Sequence, residues 1–206
     1  MHGKFIVLEG IDGCGKGTQA KVLASWLFDK DKKNTVVLTR NPYRLVDDIR
    51  SVLKSSKSPT EKKQELTNLF IKDRKLCLAE CIEPNLRLGH HVICDRYKHS
   101  TIVYQSCQGV DVNKLVSLHE GMLVPHLTIV IDVPAEVGLE RLQKDSKERR
   151  PNQEMFEKLE FMKKLAEGYK HLPKLLPSEK IVFVDGNREP QEVFKDVQSA
   201  VQKTLV

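Results

Sequence analysis

Nowhere does the chain hold an apolar run near the roughly 18 residues needed to span a bilayer, which excludes a membrane-spanning reading and predicts a soluble protein. Met1 to Leu8 is a short run of strand length with no cleavage site, so no targeting signal is read and a cytoplasmic setting is expected. Internal repeats, low-complexity tracts and Pro/Gly/Ser-rich linkers are missing too, which argues against solenoids and tethered modules. The 206 residues, 40% of them apolar, predict a single domain over 1–206 with one substantial core.

Cysteine is sparse and odd in number: Cys14, Cys77, Cys81, Cys94 and Cys107. No metal-type doublet recurs at a second place and nothing suggests a secretory context, so free thiols are expected. Cys77 and Cys81 stand at i and i+4 of a predicted helix, but a buried apolar role is the better reading of them. The 34 Lys and Arg against 28 Asp and Glu leave a net charge of +6. Basic residues are dispersed, with no basic tail and no aromatic interleaving, so small anionic ligands account for the surplus and nucleic acid is not expected as a partner.

What is present is an alternation of short apolar runs with longer amphipathic stretches. Phe5 to Leu8, Val36 to Thr39, Val92 to Cys94, Leu127 to Val133 and Ile181 to Val184 read as five buried strands. Helical patterns fall between them, such as Val22, Leu23, Trp26 and Leu27, or Leu66, Leu69, Phe70 and Cys77. The prediction is a three-layer α/β fold, a five-stranded parallel sheet flanked by helices and joined by right-handed crossovers. Ligands bind beyond the carboxyl ends of such strands, so the loops after Leu8, Thr39, Cys94 and Val133 should carry the chemistry. Two charge-rich segments, Lys54 to Lys63 and Lys144 to Asn152, read as mobile flaps, the second a lid over about residues 144–154.

The first strand runs into Gly10-Ile11-Asp12-Gly13-Cys14-Gly15-Lys16-Gly17-Thr18-Gln19, and an amphipathic helix follows at once. Strand, glycines, lysine and helix together make a P-loop. Gly10, Gly13 and Gly15 permit backbone angles that let successive N–H groups converge on phosphate, with Asp12 and Cys14 between them. Lys16 adds a point charge and the helix N-terminus presents further donors. The pattern wants Ser or Thr directly after the lysine. Gly17 stands there instead and Thr18 comes next, a Gly-Thr pair similar to that of adenylate kinases, so a magnesium-side hydroxyl is assigned to Thr18. Later, an apolar strand ends in Asp95-Arg96-Tyr97, which predicts a carboxylate beside the P-loop for magnesium and an arginine facing an acceptor phosphate. Phe70 and Arg74, at i and i+4, share one helix face, where a base could stack on the ring.

These segments, with Leu69-Phe70 before Asp73-Arg74, Ser100-Thr101 before Tyr104-Gln105, Asp132 to Leu139, and Phe156 to Phe161 with Tyr169, occur in the order found in thymidylate kinases. The chain resembles that family over nearly its full length. The resemblance implies phosphoryl transfer from ATP with Mg2+ to dTMP, and a homodimer. It also implies residue roles. Phe70 packs on thymine and Arg74 bonds its O4, while Thr101 and the Tyr104-Gln105 pair bind base and deoxyribose. Asp12 lies near the 3′-hydroxyl, Arg40 contacts the acceptor phosphate, and Glu157 aids magnesium or the acceptor. The donor adenine falls near Arg141 and Lys144. Family members with glycine at the position of Gly13 deliver the catalytic arginine from the lid, which points to Arg149 or Arg150 beside the catalytic set Lys16, Asp95 and Arg96. One departure is Arg40-Asn41-Pro42, where the family segment has a carboxylate at the position of Asn41. An amide there cannot supply charge to a metal. The departures at Asn41 and Gly17 keep open a kinase for another monophosphate (dUMP, UMP, CMP or AMP). A nucleotide-gated switch fits less well, because no Asn-Lys-x-Asp signature is present.

Overall fold

A computed structural model of the protein describes residues 3–55, 61–145 and 152–205, with side chains at all of these except 145 and 152–157. The strands are β1 (Phe5–Glu9), β2 (Val36–Arg40), β3 (His91–Asp95), β4 (Leu127–Asp132) and β5 (Ile181–Asp185), in the order β2-β3-β1-β4-β5. Every neighbouring pair is parallel. The order reverses at β1, which pairs with β3 on one side and β4 on the other, so a crevice opens beyond its carboxyl end.

The expected strands are all found, with ends shifted by about a residue. Glu9, Arg40, His91, Asp95 and Asp185 belong to strands although their polarity suggested loop. A parallel ladder continues wherever a partner backbone is available: Leu8 and Arg40 both pair with Asp95, and His91 pairs with Val36. The side chain does not decide this.

The helices are α1 (Lys16–Lys30), α2 (Val46–Ser55), α3 (Lys63–Cys77), α4 (Glu83–Arg87), α5 (Lys98–Cys107), α6 (Val112–Ser117), α7 (Ala135–Asp145), α8 (Asn152–Leu175) and α9 (Pro190–Leu205). A π-helical turn, Leu78–Ile82, joins α3 to α4. Alternation along β1 divides the core. Ile6 and Leu8 face Leu23, Leu27, Ile129, Leu165 and Val197. Phe5 and Val7 face the other way, onto Cys77, Ile82, Val92, Cys94 and Tyr97. Cys77 therefore serves as a buried apolar residue, as its pattern suggested, whereas Cys81 is only partly buried. The edge strands β2 and β5 are half-exposed and β1 is fully buried, so the loop leaving β1 starts from the most rigid part of the sheet.

One buried carboxylate ties that strand to a helix. Glu9 accepts hydrogen bonds from the backbone N–H of Tyr97 (2.7 Å) and Ser100 (3.2 Å), from Ser100 Oγ (2.6 Å) and from Tyr169 OH (3.0 Å). It thus caps α5, a helix with no side-chain cap of its own.

Candidate active site

The loop between β1 and α1 turns on three glycines of positive φ, Gly10 (135°), Gly13 (77°) and Gly15 (99°). Gly13 is the most constrained: a Cβ there would lie 2.2 Å from the carbonyl oxygen of Gly138 at the start of α7. Helix α1 begins at Lys16 and turns its first N–H groups toward the loop. The Lys16 ammonium is buried and donates to the carbonyls of Gly10 (3.0 Å) and Ile11 (2.8 Å). Both acceptors are neutral carbonyls, so no carboxylate is hydrogen-bonded to the ammonium among the described residues, although Asp12 and Asp95 lie within reach of its charge.

Asp95 closes the other side. A Cβ on Gly17 would be 3.7 Å from its Oδ2, and its Oδ1 is buried without a hydrogen-bond partner among the described residues. Burial raises the Asp95 carboxyl above the ordinary value, against the pull of Lys16 and Arg96. The next residue, Arg96, has φ 71°, a left-handed backbone rare outside glycine. That turn carries its guanidinium back over the crevice. There it donates to Asp12 Oδ1 (2.5 Å), Tyr104 OH (3.1 Å), Ser100 Oγ (2.9 Å) and Tyr169 OH (3.4 Å), and lies 5.0 Å from the Tyr104 ring centre. Burial acts against its charge, but the tyrosines, Asp12 and Glu9 raise its pKa well above the ordinary arginine value.

Two cavities meet at Arg96. A cavity of about 770 Å³ is lined by 12–19, Asp95, Arg96, Arg141, Lys144, Gly186 and Arg188. Thr18 is exposed to it. Arg141 is held by the carbonyl of Gly186 (3.1 Å) and Lys144 by Glu140 (2.7 Å). A second, more apolar cavity of about 360 Å³ is lined by Asp12, Asn41, Leu66, Phe70, Arg74, Arg96, Thr101, Tyr104, Gln105 and Phe161. Asp12 and Arg96 belong to both.

In the smaller cavity, Phe70 packs with Leu66 yet also forms wall, so the core and binding readings of this residue are compatible. Arg74 is 1% exposed and, among the described residues, bonds no carboxylate, though Glu9 and Asp73 act on its charge; it donates to the carbonyl of Tyr97 (2.9 Å) and to Thr101 Oγ1 (2.9 Å). Gln105 donates to Gln108 Oε1 (2.7 Å). Asn41 is buried against Asp73, and its Oδ1 is unpartnered. Arg40 stands apart, at the exposed end of β2 in a cleft of about 280 Å³ that it shares with Gly17, Lys21 and Asp95. Arg149, Arg150 and the Glu157 side chain lie outside the described residues, as does most of the predicted lid.

Glu9, Asp73 and His119 had no assigned role in the sequence reading. Asp73 is buried and accepts the backbone N–H groups of Tyr43 (2.6 Å), Arg44 (2.7 Å) and Leu45 (2.8 Å), shaping the loop after β2. A carboxylate closing a buried strand was the available signal for Glu9. His119 follows the short helix α6 and gave none.

A parallel sheet whose central strand feeds a glycine loop and lysine, with an Asp-Arg strand end opposite and a second cavity for an acceptor, defines a P-loop nucleotide kinase fold. The family model for thymidylate kinase matches residues 8–197. Among curated proteins, the chain is 35% identical to the probable thymidylate kinase of Methanococcus maripaludis, covering 96% of this chain and 94% of that protein. It is 34% identical to the thymidylate kinase of Carboxydothermus hydrogenoformans, covering 98% of each. It is 35% identical to the probable thymidylate kinase of Pyrococcus horikoshii, covering 100% of this chain and 99% of that one. The chain belongs to the thymidylate kinase family.

Proposed function

We propose that the protein transfers the γ-phosphoryl group of ATP to dTMP, giving dTDP and ADP. The observation that carries this is the meeting of two cavities of different chemistry at Asp12 and Arg96. The larger, polar one suits a triphosphate, and the smaller, with an aromatic wall and one buried arginine, suits a pyrimidine nucleotide.

In this reading the P-loop N–H groups and Lys16 hold the β- and γ-phosphates, exchanging the Lys16 bonds to neutral carbonyls for bonds to anionic oxygens. An oxygen of the dTMP phosphate attacks the γ-phosphorus, and the bond to the β–γ bridging oxygen breaks. Arg96 neutralises the acceptor phosphate at the point where the two nucleotides meet, and its contacts with Ser100 and Tyr169 fix its direction. Arg40 adds positive charge beside Asp95. Phe70 stacks on the base, while Arg74, Thr101 and Gln105 bond its edge and Tyr104 crowds the sugar. Arg141 and Lys144 border the donor base.

A magnesium ion fits the donor set. Asp95 offers a buried oxygen without a partner and Thr18 a hydroxyl in the same cavity. When bound, the ion neutralises charge on the transferring phosphates. Gly13 has no room for a side chain, which favours Arg149 or Arg150 as the further transition-state cation. Family membership also supports a homodimer, tested by sedimentation equilibrium, and a cytoplasmic setting.

The decisive experiment measures ADP release with ATP and magnesium against dTMP, dUMP, UMP, CMP, dGMP and AMP. The reading requires dTMP to have the highest kcat/KM. A stronger response to AMP or CMP would replace it with another monophosphate kinase.

A further inference from the structure

Arg74 is an uncommon cation: almost wholly buried, with every hydrogen-bond partner neutral. Two of its contacts, the Tyr97 carbonyl and Thr101 Oγ1, go to the loop before α5 and to α5 itself. The third is His119, whose Nε2 lies 3.0 Å from Arg74 Nη1. The Tyr97 ring lies beneath, 5.5 Å from the guanidinium carbon. Arg74 Nε has no hydrogen-bond partner among the described residues, and the residue forms wall in the 360 Å³ cavity.

His119 is itself 3% exposed, and its other ring nitrogen, Nδ1, lies 2.7 Å from the carbonyl oxygen of Leu115. A carbonyl only accepts, so Nδ1 carries the proton. A guanidinium only donates, so Nε2 must present its lone pair to Arg74. Both ends of the ring thus dictate one neutral tautomer. A proton on Nε2 would set two donors against each other in a dry site. Burial first, then the charge of Arg74, with Lys98 and His99 adding, hold the His119 pKa down to about 3. The imidazole is therefore a fixed acceptor throughout the physiological range.

Thr101 lines the cavity and Tyr97 contributes a backbone carbonyl, but His119 is no part of the cavity wall. Its polar contact is with the back of the arginine. We propose that His119 is a positioning residue for pyrimidine discrimination, aiming the Arg74 guanidinium so that a base with an oxygen at position 4 meets donors and a base with an amino group there meets only repulsion. This rests on the assignment of the 360 Å³ cavity to the acceptor base. A guanidinium freed from His119 could rotate and admit either group, and selectivity is a difference of two affinities.

The test compares wild type with His119→Leu, which removes the acceptor, and His119→Gln, whose amide oxygen reaches the place of Nε2. The probes are dTMP and 5-methyl-2′-deoxycytidine monophosphate, which differ in the group at position 4 and in the N3 proton that goes with it, so the readout is the change in preference between wild type and each variant. Binding of each is measured by titration calorimetry, and turnover separately. His119→Leu should lower the dTMP preference about tenfold, the scale of one buried donor left unsatisfied. It should leave KM for ATP unchanged, and His119→Gln should restore most of the preference. If the leucine variant does not fold, His119→Asn, whose amide is too short to reach Arg74, should show the same loss. Unchanged preference in the leucine or asparagine variant, or a glutamine variant no better than either, overturns the proposal. So does a wild type that binds both probes equally. Selective binding of dTMP without phosphoryl transfer would instead sink the proposed function and leave the role of His119 standing or falling on its variants.

Discussion

Arg96 Nη2 lies 2.5 Å from Asp12 Oδ1, so the residue after β3 and the loop after β1 are joined where the two cavities meet. The same guanidinium serves Ser100, Tyr104 and Tyr169. Four directions at once demand a planar fork, which an ammonium group does not provide. Arg96→Lys keeps the charge and meets the same backbone requirement at φ 71°, so the substitution isolates the fork. We expect kcat to fall at least about a hundredfold, with the melting temperature within a few degrees of wild type. Near-normal kcat in the lysine variant would mean that charge alone suffices at this position.

Glu9 gives a second prediction, because all four of its close partners are donors. Glu9→Gln preserves size and replaces one acceptor oxygen by an NH2 group facing those donors. A buried mismatch of this kind costs about 1–3 kcal/mol. Urea denaturation should show that loss, and kcat should fall with it because Ser100 and Tyr169 also hold Arg96. A variant as stable as wild type would show that the cap of α5 contributes little.

How much of this could be read in advance differs by residue. Gly10, Gly13, Gly15 and Lys16 announce themselves because a P-loop is local: its geometry is written in consecutive residues and needs no tertiary partner to be recognised. Asp95 and Arg96 were legible as a strand end, although the left-handed backbone that turns Arg96 over the crevice was not. Phe70 and Arg74 were legible as a helix face. The neutral hydrogen-bond partners of Arg74 were hidden, since His119 is 45 residues away in sequence and meets it only through the packing of the segment after α6. Arg40 was legible from its motif context, whereas the cleft it lines at the end of edge strand β2, beside Gly17, Lys21 and Asp95, was not.

Gly13 makes a prediction about P-loop chemistry. A Cβ there would approach the Gly138 carbonyl to 2.2 Å, and φ is +77°. The obstacle is backbone on both counts, so no rotamer relieves it. Gly13→Arg would place a cation in the P-loop, but we expect it to lower stability by more than about 1 kcal/mol and to reduce rather than raise kcat. Thermal unfolding with a steady-state assay decides this. A stable, faster enzyme would show that α7 can move away from the loop.

Stability should depend on pH through His119. Its pKa drops from 6.5 in the ordinary state to about 3 in the folded protein, chiefly through burial and then the Arg74 charge. Above about pH 7.5 neither state holds the proton, and the group contributes no pH dependence. As pH falls below 6.5, the unfolded chain takes up a proton that the folded protein refuses, so stability declines with acid at up to about 1.4 kcal/mol per pH unit. His91 and His126, whose values are also lowered by burial, act in the same direction. The lowered carboxylates Asp12 and Glu179 add their own loss, but only at more acidic pH, below their ordinary values of 3.8 and 4.5. Asp95, whose carboxyl is raised by burial, acts in the opposite direction, so the difference between wild type and a His119 variant over pH 7.5 to 5.5, and not the loss of either alone, reports His119. Wild type should lose about 1 kcal/mol more than His119→Gln over that interval when both are unfolded in urea. Equal losses in the two proteins would show that His119 takes up its proton in the folded state as readily as in the unfolded chain.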